Sequence, residues 1–105
     1  MIRRIWRAWA SKQNAGPYET LLRDEVFVNI RNKAVPGLRD AQLCRRDVAD
    51  EVEFVVLMTF ESIEAVKALV GDTYEVAYVP EKARALLSRF DDRALHYEVR
   101  VVLDE

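Results

Sequence analysis

The sequence predicts a small α+β domain with an antiparallel sheet, because strand-like and helix-like patterns alternate along it. The stretch Glu51–Ser62 (EVEFVVLMTFES) is apolar on both faces of a strand, since Val52, Phe54 and their period-two partners point one way and Leu57 the other. Such a strand needs a packed layer on each side. Helices of the same chain can supply one layer, and we expect a second molecule to supply the other.

The first half of the chain contains two further predicted elements and the start of a hairpin. Ile2–Ala10 alternates as a strand and places Trp6 and Trp9 on opposite faces. Cap and turn residues then lead into a helix predicted over Ala15–Asn32, which has one apolar stripe at three- and four-residue spacing. Val-Pro-Gly ends that helix, and Leu38–Asp47 is predicted as the second strand.

The second half completes the pattern. A short polar link joins the second and third strands into a hairpin, and Ser62 is a suitable cap for a helix that ends at Gly71. After an irregular segment, Pro80 is expected to open a short third helix that reaches Arg89, and Leu95–Leu103 is the predicted last strand. The order β-α-β-β-α-β with one extra helix is ferredoxin-like, in a single domain over residues 1–105.

Composition excludes several classes of protein. Of the 105 residues, 50% are hydrophobic and 32% are charged, which is typical of a folded domain rather than a disordered chain. The net charge is −2, and the acidic and basic residues are interspersed along the chain. No basic surface for nucleic acid is therefore predicted. No apolar run approaches membrane-spanning length, and the N-terminus lacks a signal-peptide core. A lone Cys44 and one histidine predict no internal disulfide, no metal site and a cytoplasmic location.

Three stretches carry a resemblance to a known family: IWRAW in the first strand, EFVVLMTFESIEAV across the third strand and helix start, and PEKARALLSRFDDRALHYEVR near the end. Together with the element order, they resemble the antibiotic biosynthesis monooxygenase-like family over nearly the whole chain. The resemblance implies a homodimeric α+β barrel in which two sheets face each other. It also implies oxygenation of aromatic polyketides without cofactors, in which a deprotonated phenol itself reduces dioxygen.

Three residues are candidates for acid–base catalysis. His96 is the only histidine, and it lies on the last predicted strand on the face opposite Leu95 and Tyr97. It is either a proton-transfer group or a hydrogen-bonded strand histidine. Tyr74 and Tyr78 lie in the irregular segment, where they either donate to a developing oxyanion or plug the end of the barrel.

Five residues are candidates for contact with a substrate: Trp6, Trp9, Phe27, Met58 and Phe60. Only one of the two tryptophans can face a cavity between sheet and helices, and the pattern does not choose between them. Each of the five is a pocket wall if a pocket exists and a core residue otherwise.

The functional hypotheses are therefore a cofactor-independent monooxygenase acting in a pocket between sheet and helices, or a non-catalytic dimeric module for ligand binding or stress. Enzyme activity is inferred from the resemblance alone. A second branch of the family degrades haem with an asparagine, a tryptophan and a histidine. Here the first strand has no asparagine, and Ala68 and Tyr78 stand at the other two places, which disfavours haem degradation.

Overall fold

The computed structural model describes residues 1–104, and its centre is one antiparallel sheet with helices on one face. The strands are β1 (Ile2–Ser11), β2 (Leu38–Val48), β3 (Glu51–Phe60), β4 (Arg89–Phe90) and β5 (Leu95–Glu98). The sheet order is β2-β3-β1, and both β4 and β5 pair with the free edge of β1. This arrangement confirms the predicted α+β class and its antiparallel sheet.

The helices are α1 (Lys12–Leu21), a π-helical turn (Leu22–Val26), α2 (Phe27–Lys33), α3 (Ile63–Val70) and α4 (Glu81–Leu86). Within residues 1–104, no helix is both long enough and apolar enough to cross a lipid bilayer. The first helix begins at Lys12, earlier than the predicted Ala15. Ser11 caps it, because its hydroxyl accepts a hydrogen bond from the Asn14 N–H at 3.1 Å.

The π-helical turn lets two large side chains of one helix reach the same core. The Phe27 N–H donates to the Leu22 carbonyl, a spacing of five residues. Leu22 is buried, and Phe27 packs against the cluster to which Leu22 belongs. In a regular α-helix, residues five apart point to different sides, so the wider turn keeps both of them on the sheet.

The space between the helices and the sheet is filled. One cluster packs α1 on the sheet around Tyr18 and Phe54, whose ring centroids are 4.8 Å apart. A second cluster packs α3 on the sheet around Met58, Phe60 and Val66. The helix-facing side of β3 belongs to these two clusters along its length, with Val56 half-buried between them.

The opposite face of the sheet is only partly covered by the described chain, with Trp9, Glu53 and Thr59 buried on it. Val55 and Leu57 are half-buried there, while Leu95 and Tyr97 keep 52% and 53% of their surface exposed. The predicted two-sided strand is thus covered on its helix-facing side and only partly covered on the other. The homodimer that would cover the other side stays a prediction.

Two predicted boundaries near the C-terminus are wrong, and both fail for the same kind of reason. The helix that was predicted to reach Arg89, α4, ends at Leu86 instead. It ends there because the N–H and the hydroxyl of Ser88 both donate to the Trp9 carbonyl, at 2.8 and 3.0 Å. That contact makes the next two residues a strand paired with β1. The last strand stops at Glu98 rather than Leu103, because Glu98 is opposite Ile2, where β1 itself begins.

Candidate functional site

A cavity of about 430 Å³ lies at the edge of the sheet, beside α3. Its walls come from the start of β1, the start of α3, the segment after α3, and β5. Among its lining residues are Ile2, Ile63, Tyr74, Glu75, His96 and Glu98. It is a partly open recess, of a size suited to a small molecule.

Local structure at both ends of α3 places the cavity walls. The Ser62 hydroxyl accepts a hydrogen bond from the Ala65 N–H at 3.2 Å and starts the helix beside the recess. Gly71, with φ of 92°, ends the helix and turns the chain back toward the sheet. The following segment is irregular but anchored, since the Ala77 N–H donates to Asp92 and the Ala94 N–H donates to Glu75, both at 2.9 Å.

Tyr74 and His96, predicted as two of the acid–base residues, lie together in this cavity. Their ring centroids are 5.0 Å apart, with the rings nearly perpendicular at 81°. The ammonium of Lys67 lies 5.8 Å from the centroid of the Tyr74 ring, on the α3 side. An edge-to-face aromatic pair holds both rings in defined orientations.

Arg4 lies behind these two side chains, and the sequence analysis did not single it out. It is directly opposite His96 in the β1–β5 pairing, so both side chains project to the helix side of the sheet. Only 9% of its surface is exposed, and its Nη1 donates a long hydrogen bond of 3.4 Å to the Tyr74 carbonyl. Within residues 1–104, no carboxylate oxygen lies within 4.0 Å of its guanidinium.

Period two could have drawn attention to Arg4, because it shares a strand face with Ala8 and Ala10, which are fully buried. A charged residue at a core position of a strand is a signal for function or for an internal ion pair. Its burial, however, depends on Tyr74, which lies seventy positions away in sequence.

The surroundings of His96 favour the neutral form of its imidazole. Burial lowers the pKa of its imidazole, the nearby Arg4 charge lowers it further, and Glu75 opposes both effects. The Nε2 atom of His96 is buried and has no hydrogen-bond partner in the described structure. A neutral imidazole carries one lone pair that can accept a proton, and an unpartnered buried nitrogen is uncommon in a purely structural role.

The two tryptophans separate as their positions require. Trp6 faces the helices, where its Nε1 donates to the Asp91 carbonyl at 2.7 Å and its ring packs near Phe90. Trp9 faces the other side, covered by the guanidinium of Arg89 at 4.0 Å from the ring centroid. Neither ring lines the cavity beside α3, and the bond from Trp6 anchors the turn before β5.

The other candidate residues also lie outside the cavity surface. Tyr78 is 83% exposed on the same segment as Tyr74 but away from the recess. Phe27 packs against the α1 cluster, far along the helix layer. Met58 and Phe60 belong to the core beneath α3, where Tyr74 packs on them. They support the floor of the site without being exposed in it.

A second, larger recess of about 690 Å³ lies between α1 and α4. It is lined largely by apolar groups such as Pro17, Leu21 and Leu86, and its one ion pair joins Lys82 to Glu25 at 3.1 Å. Both charges there are paired and exposed. The smaller recess is therefore the better candidate site, because it is lined by His96, whose Nε2 has no hydrogen-bond partner among the described residues, and lies next to Arg4.

Comparison with known proteins gives matches by structure only: no protein-family model matches the chain, and no curated protein is similar to it in sequence. A proposed antibiotic biosynthesis monooxygenase from Bacillus cereus has a TM-score of 0.66 at 17% identity, over 99% of this chain and 97% of the other. A second one, from Deinococcus radiodurans, has a TM-score of 0.62 at 17% identity, over 100% and 98%.

A third similar structure is the haem degrader MhuD from Mycobacterium tuberculosis, solved with two haems bound in its active site. Its TM-score is 0.60 at 20% identity, over 99% of this chain and 100% of the other. The three likenesses cover essentially all of both chains. At these identities they establish a shared fold, so the predicted resemblance is confirmed at that level.

Proposed function

We propose that this protein is a monooxygenase that oxidises a small aromatic, polyketide-like compound without a bound cofactor, in the cavity beside α3. The observation that carries the proposal is His96, whose Nε2 has no hydrogen-bond partner among the described residues, whose ring packs edge-on against Tyr74 and which lies opposite Arg4 in the sheet. The fold shared with proposed antibiotic biosynthesis monooxygenases supports the same reaction class.

The reaction needs a base and a place for negative charge. Neutral His96 accepts the phenolic proton of the substrate, and the resulting anion spreads over the aromatic system. That anion transfers electrons to dioxygen. Oxidation of a ring-flanked methylene to a ketone consumes one O₂, leaves one oxygen atom in the ketone and releases the other as water. The substrate supplies all four electrons, so no external reductant is required.

The surrounding residues have separate tasks in this scheme. The Tyr74 hydroxyl is a hydrogen-bond donor for the developing oxyanion. Ile2 and Ile63 give apolar walls that hold a flat ring and keep water from it. Trp6, Trp9, Phe27, Met58 and Phe60 act indirectly, by supporting the sheet and the helices behind these walls.

The test is dioxygen uptake across a panel of phenols and hydroquinone-like compounds. We expect uptake with at least one multi-ring phenol, a loss of at least a hundredfold in His96→Ala, and a smaller loss in Tyr74→Phe. Tyr78→Phe is the matched control, because Tyr78 lies on the same segment outside the cavity, and its rate should be unchanged. Uptake that persists in His96→Ala would remove His96 from the mechanism.

A non-catalytic ligand-binding module is the second candidate. It is favoured by the filled centre of the domain, which leaves only a recess at the sheet edge. Saturable binding of an aromatic ligand, with no dioxygen consumed by any compound of the panel, would support this function over the first.

Haem does not fit the residues that are present. The positive charge of Arg4, which lowers the pKa of the single histidine, also disfavours a bond from that histidine to a ferric ion. Ala68 and Tyr78, at the places where the resemblance implies tryptophan and histidine, are both exposed on the surface. The haem bound by MhuD therefore carries no step here, and titration with haem should give no shifted Soret band.

The assembly that we propose is a homodimer formed through the uncovered face of the sheet. Half-buried Leu57 and the exposed Leu95 and Tyr97 make that face partly apolar. Cys44 lies exposed on the same face, opposite Val55 in the β2–β3 pairing, and a reducing cytoplasm would keep it a thiol.

A further inference from the structure

Arg4 is a largely buried charge that has no charged partner among residues 1–104. Its surface is 9% exposed, and its one hydrogen bond goes to the Tyr74 carbonyl, so the positive charge of its guanidinium is not neutralised by the described residues. Buried charges in stable proteins are normally paired and fully hydrogen-bonded, because an unpaired one loses its hydration without compensation. An anion bound nearby would supply the charge partner that residues 1–104 do not provide.

We propose that the cavity beside α3 is an anion-selective site, which binds small aromatic molecules through an ionised oxygen, a carboxylate or an acidic phenol. The buried Arg4 is the counter-charge, and Tyr74 and His96 are the groups between Arg4 and the ligand. This inference rests on the location of the site in the proposed function and adds the substrate class to it.

The cross-strand pairing defines the path of the interaction. Arg4 and His96 are opposite each other on β1 and β5, with Cβ atoms about 5 Å apart in such pairs. His96 and Tyr74 line the recess, whereas Arg4 lies one side-chain layer behind them. Charges attract each other more strongly across partly buried side chains than across bulk water, so Arg4 can act on a bound anion without touching it.

No other charged group at the recess neutralises Arg4 in place of a bound anion. Glu75 and Glu98 line its rim, but both are exposed, and neither lies within ion-pair distance of Arg4. Glu98 instead lies 3.9 Å from Arg100. Lys67, over the Tyr74 ring, adds a second positive charge on the α3 side. Water screens exposed carboxylates, so Glu75 and Glu98 repel a bound anion less strongly than the buried Arg4 attracts it.

The apolar part of the ligand follows from the walls. Ile2 and Ile63 present aliphatic surface, and the Tyr74 ring presents an aromatic edge or face. A flat, fused-ring acid satisfies both halves of the site, while a small inorganic anion satisfies only the charge. Inorganic phosphate is therefore expected to bind far more weakly than an aromatic acid of equal charge.

The test compares matched ligands by calorimetry with the full chain. Naphthoate and naphthamide share a ring system and differ in charge, as do hydroxynaphthoquinone and its methyl ether. We expect wild-type protein to prefer the charged member of a pair by about tenfold, with Arg4→Lys retaining the preference and Arg4→Met abolishing it. Arg3→Met is the control, since Arg3 is the neighbouring residue on the opposite face and should leave the preference intact.

Each outcome decides the proposal. Equal affinity for the charged and neutral members in wild-type protein overturns it without any variant, even if Arg4→Met does not fold. Equal loss of both members in Arg4→Met, or the same effect in Arg3→Met, also overturns it. A tenfold preference for naphthoate alone assigns a carboxylate ligand, and one for hydroxynaphthoquinone alone assigns an acidic phenol. Anion preference without dioxygen uptake supports this inference against the proposed function, and uptake without preference does the reverse.

Discussion

Arg4 and His96 are cross-strand neighbours on the helix-facing side of the sheet; among residues 1–104, Arg4 has no carboxylate partner and the Nε2 of His96 has no hydrogen-bond partner. Most buried positions of the domain are apolar; the buried polar residues are Arg4, Glu53 and Thr59, and Arg4 differs from Glu53 in having no ion-pair partner among residues 1–104. Local departures from a rule that the rest of a protein obeys tend to mark functional sites.

The first prediction concerns the protonation of His96. Its folded-state pKa should lie below the ordinary value of 6.5, because of burial first and Arg4 second. Arg4→Met should raise this pKa, and Glu75→Gln, which removes the opposing charge, should lower it further. Since His96 is the only histidine, proton NMR follows a single imidazole through a pH titration. No response to either change would contradict the electrostatic account of the site.

The same shift determines how stability depends on pH. The unfolded chain binds a proton more tightly than the folded one at this group, so the contribution of His96 is complete above the unfolded pKa. It is lost as the pH falls from that value through the lower folded pKa. Urea unfolding of His96→Gln should remove this part of the pH dependence, and a wild-type slope that survives in the variant would assign it to carboxylates.

A second prediction distinguishes two glycines with positive φ. At Gly37, φ is +89° and an added Cβ would lie 2.9 Å from the Cβ of Ala65, in α3. At Gly71, φ is +92° but no atom lies within 4 Å of that position. Gly71→Ala should cost about 1–3 kcal/mol of backbone strain, and Gly37→Ala should cost more, since a clash is added. Equal losses in urea unfolding would mean that α3 shifts freely.

A third prediction separates core from surface among the candidate residues. Phe60 is fully buried beneath α3, so Phe60→Ala should lower the free energy of unfolding by about 3–5 kcal/mol. Tyr78, 83% exposed, should tolerate Tyr78→Ala within about 0.5 kcal/mol. A small loss of unfolding free energy in Phe60→Ala would instead indicate that Phe60 is part of a pocket wall, the alternative left open by the sequence.

The fourth prediction tests the proposed dimer by sedimentation. A lysine in place of Leu57, at the centre of the uncovered face, would bury an unpaired charge in the contact, so Leu57→Lys should convert a dimer into a monomer. Ala68→Lys is the control, because Ala68 is exposed on α3 and away from that face. A monomeric wild-type protein, or a dimer that persists in Leu57→Lys, would contradict the proposed sheet-to-sheet contact.

Much of the site was predictable, but its central residue was not. The alternation of the last strand placed His96 opposite Leu95 and Tyr97, and the structure has that separation. The irregular segment after α3 was predicted to carry residues at the edge of a pocket, and Tyr74 of that segment does line the recess. The choice of Tyr74 over Tyr78 required knowledge of which one packs on the α3 cluster. Arg4 was missed because its burial comes from a segment distant in sequence.

The sequence by itself determined the element order, the faces of each strand, the cap at Ser62 and the stop at Gly71, since all of these follow from local periodicity and backbone preference. Tertiary structure decided where a helix or strand ends if its last residues bond to a segment distant in sequence. The bonds from Ser88 to Trp9 shorten α4, and β5 stops where β1 runs out of residues to pair. It also decided that Arg4 is a buried, unpaired charge, because burial and pairing are properties of contacts between distant segments.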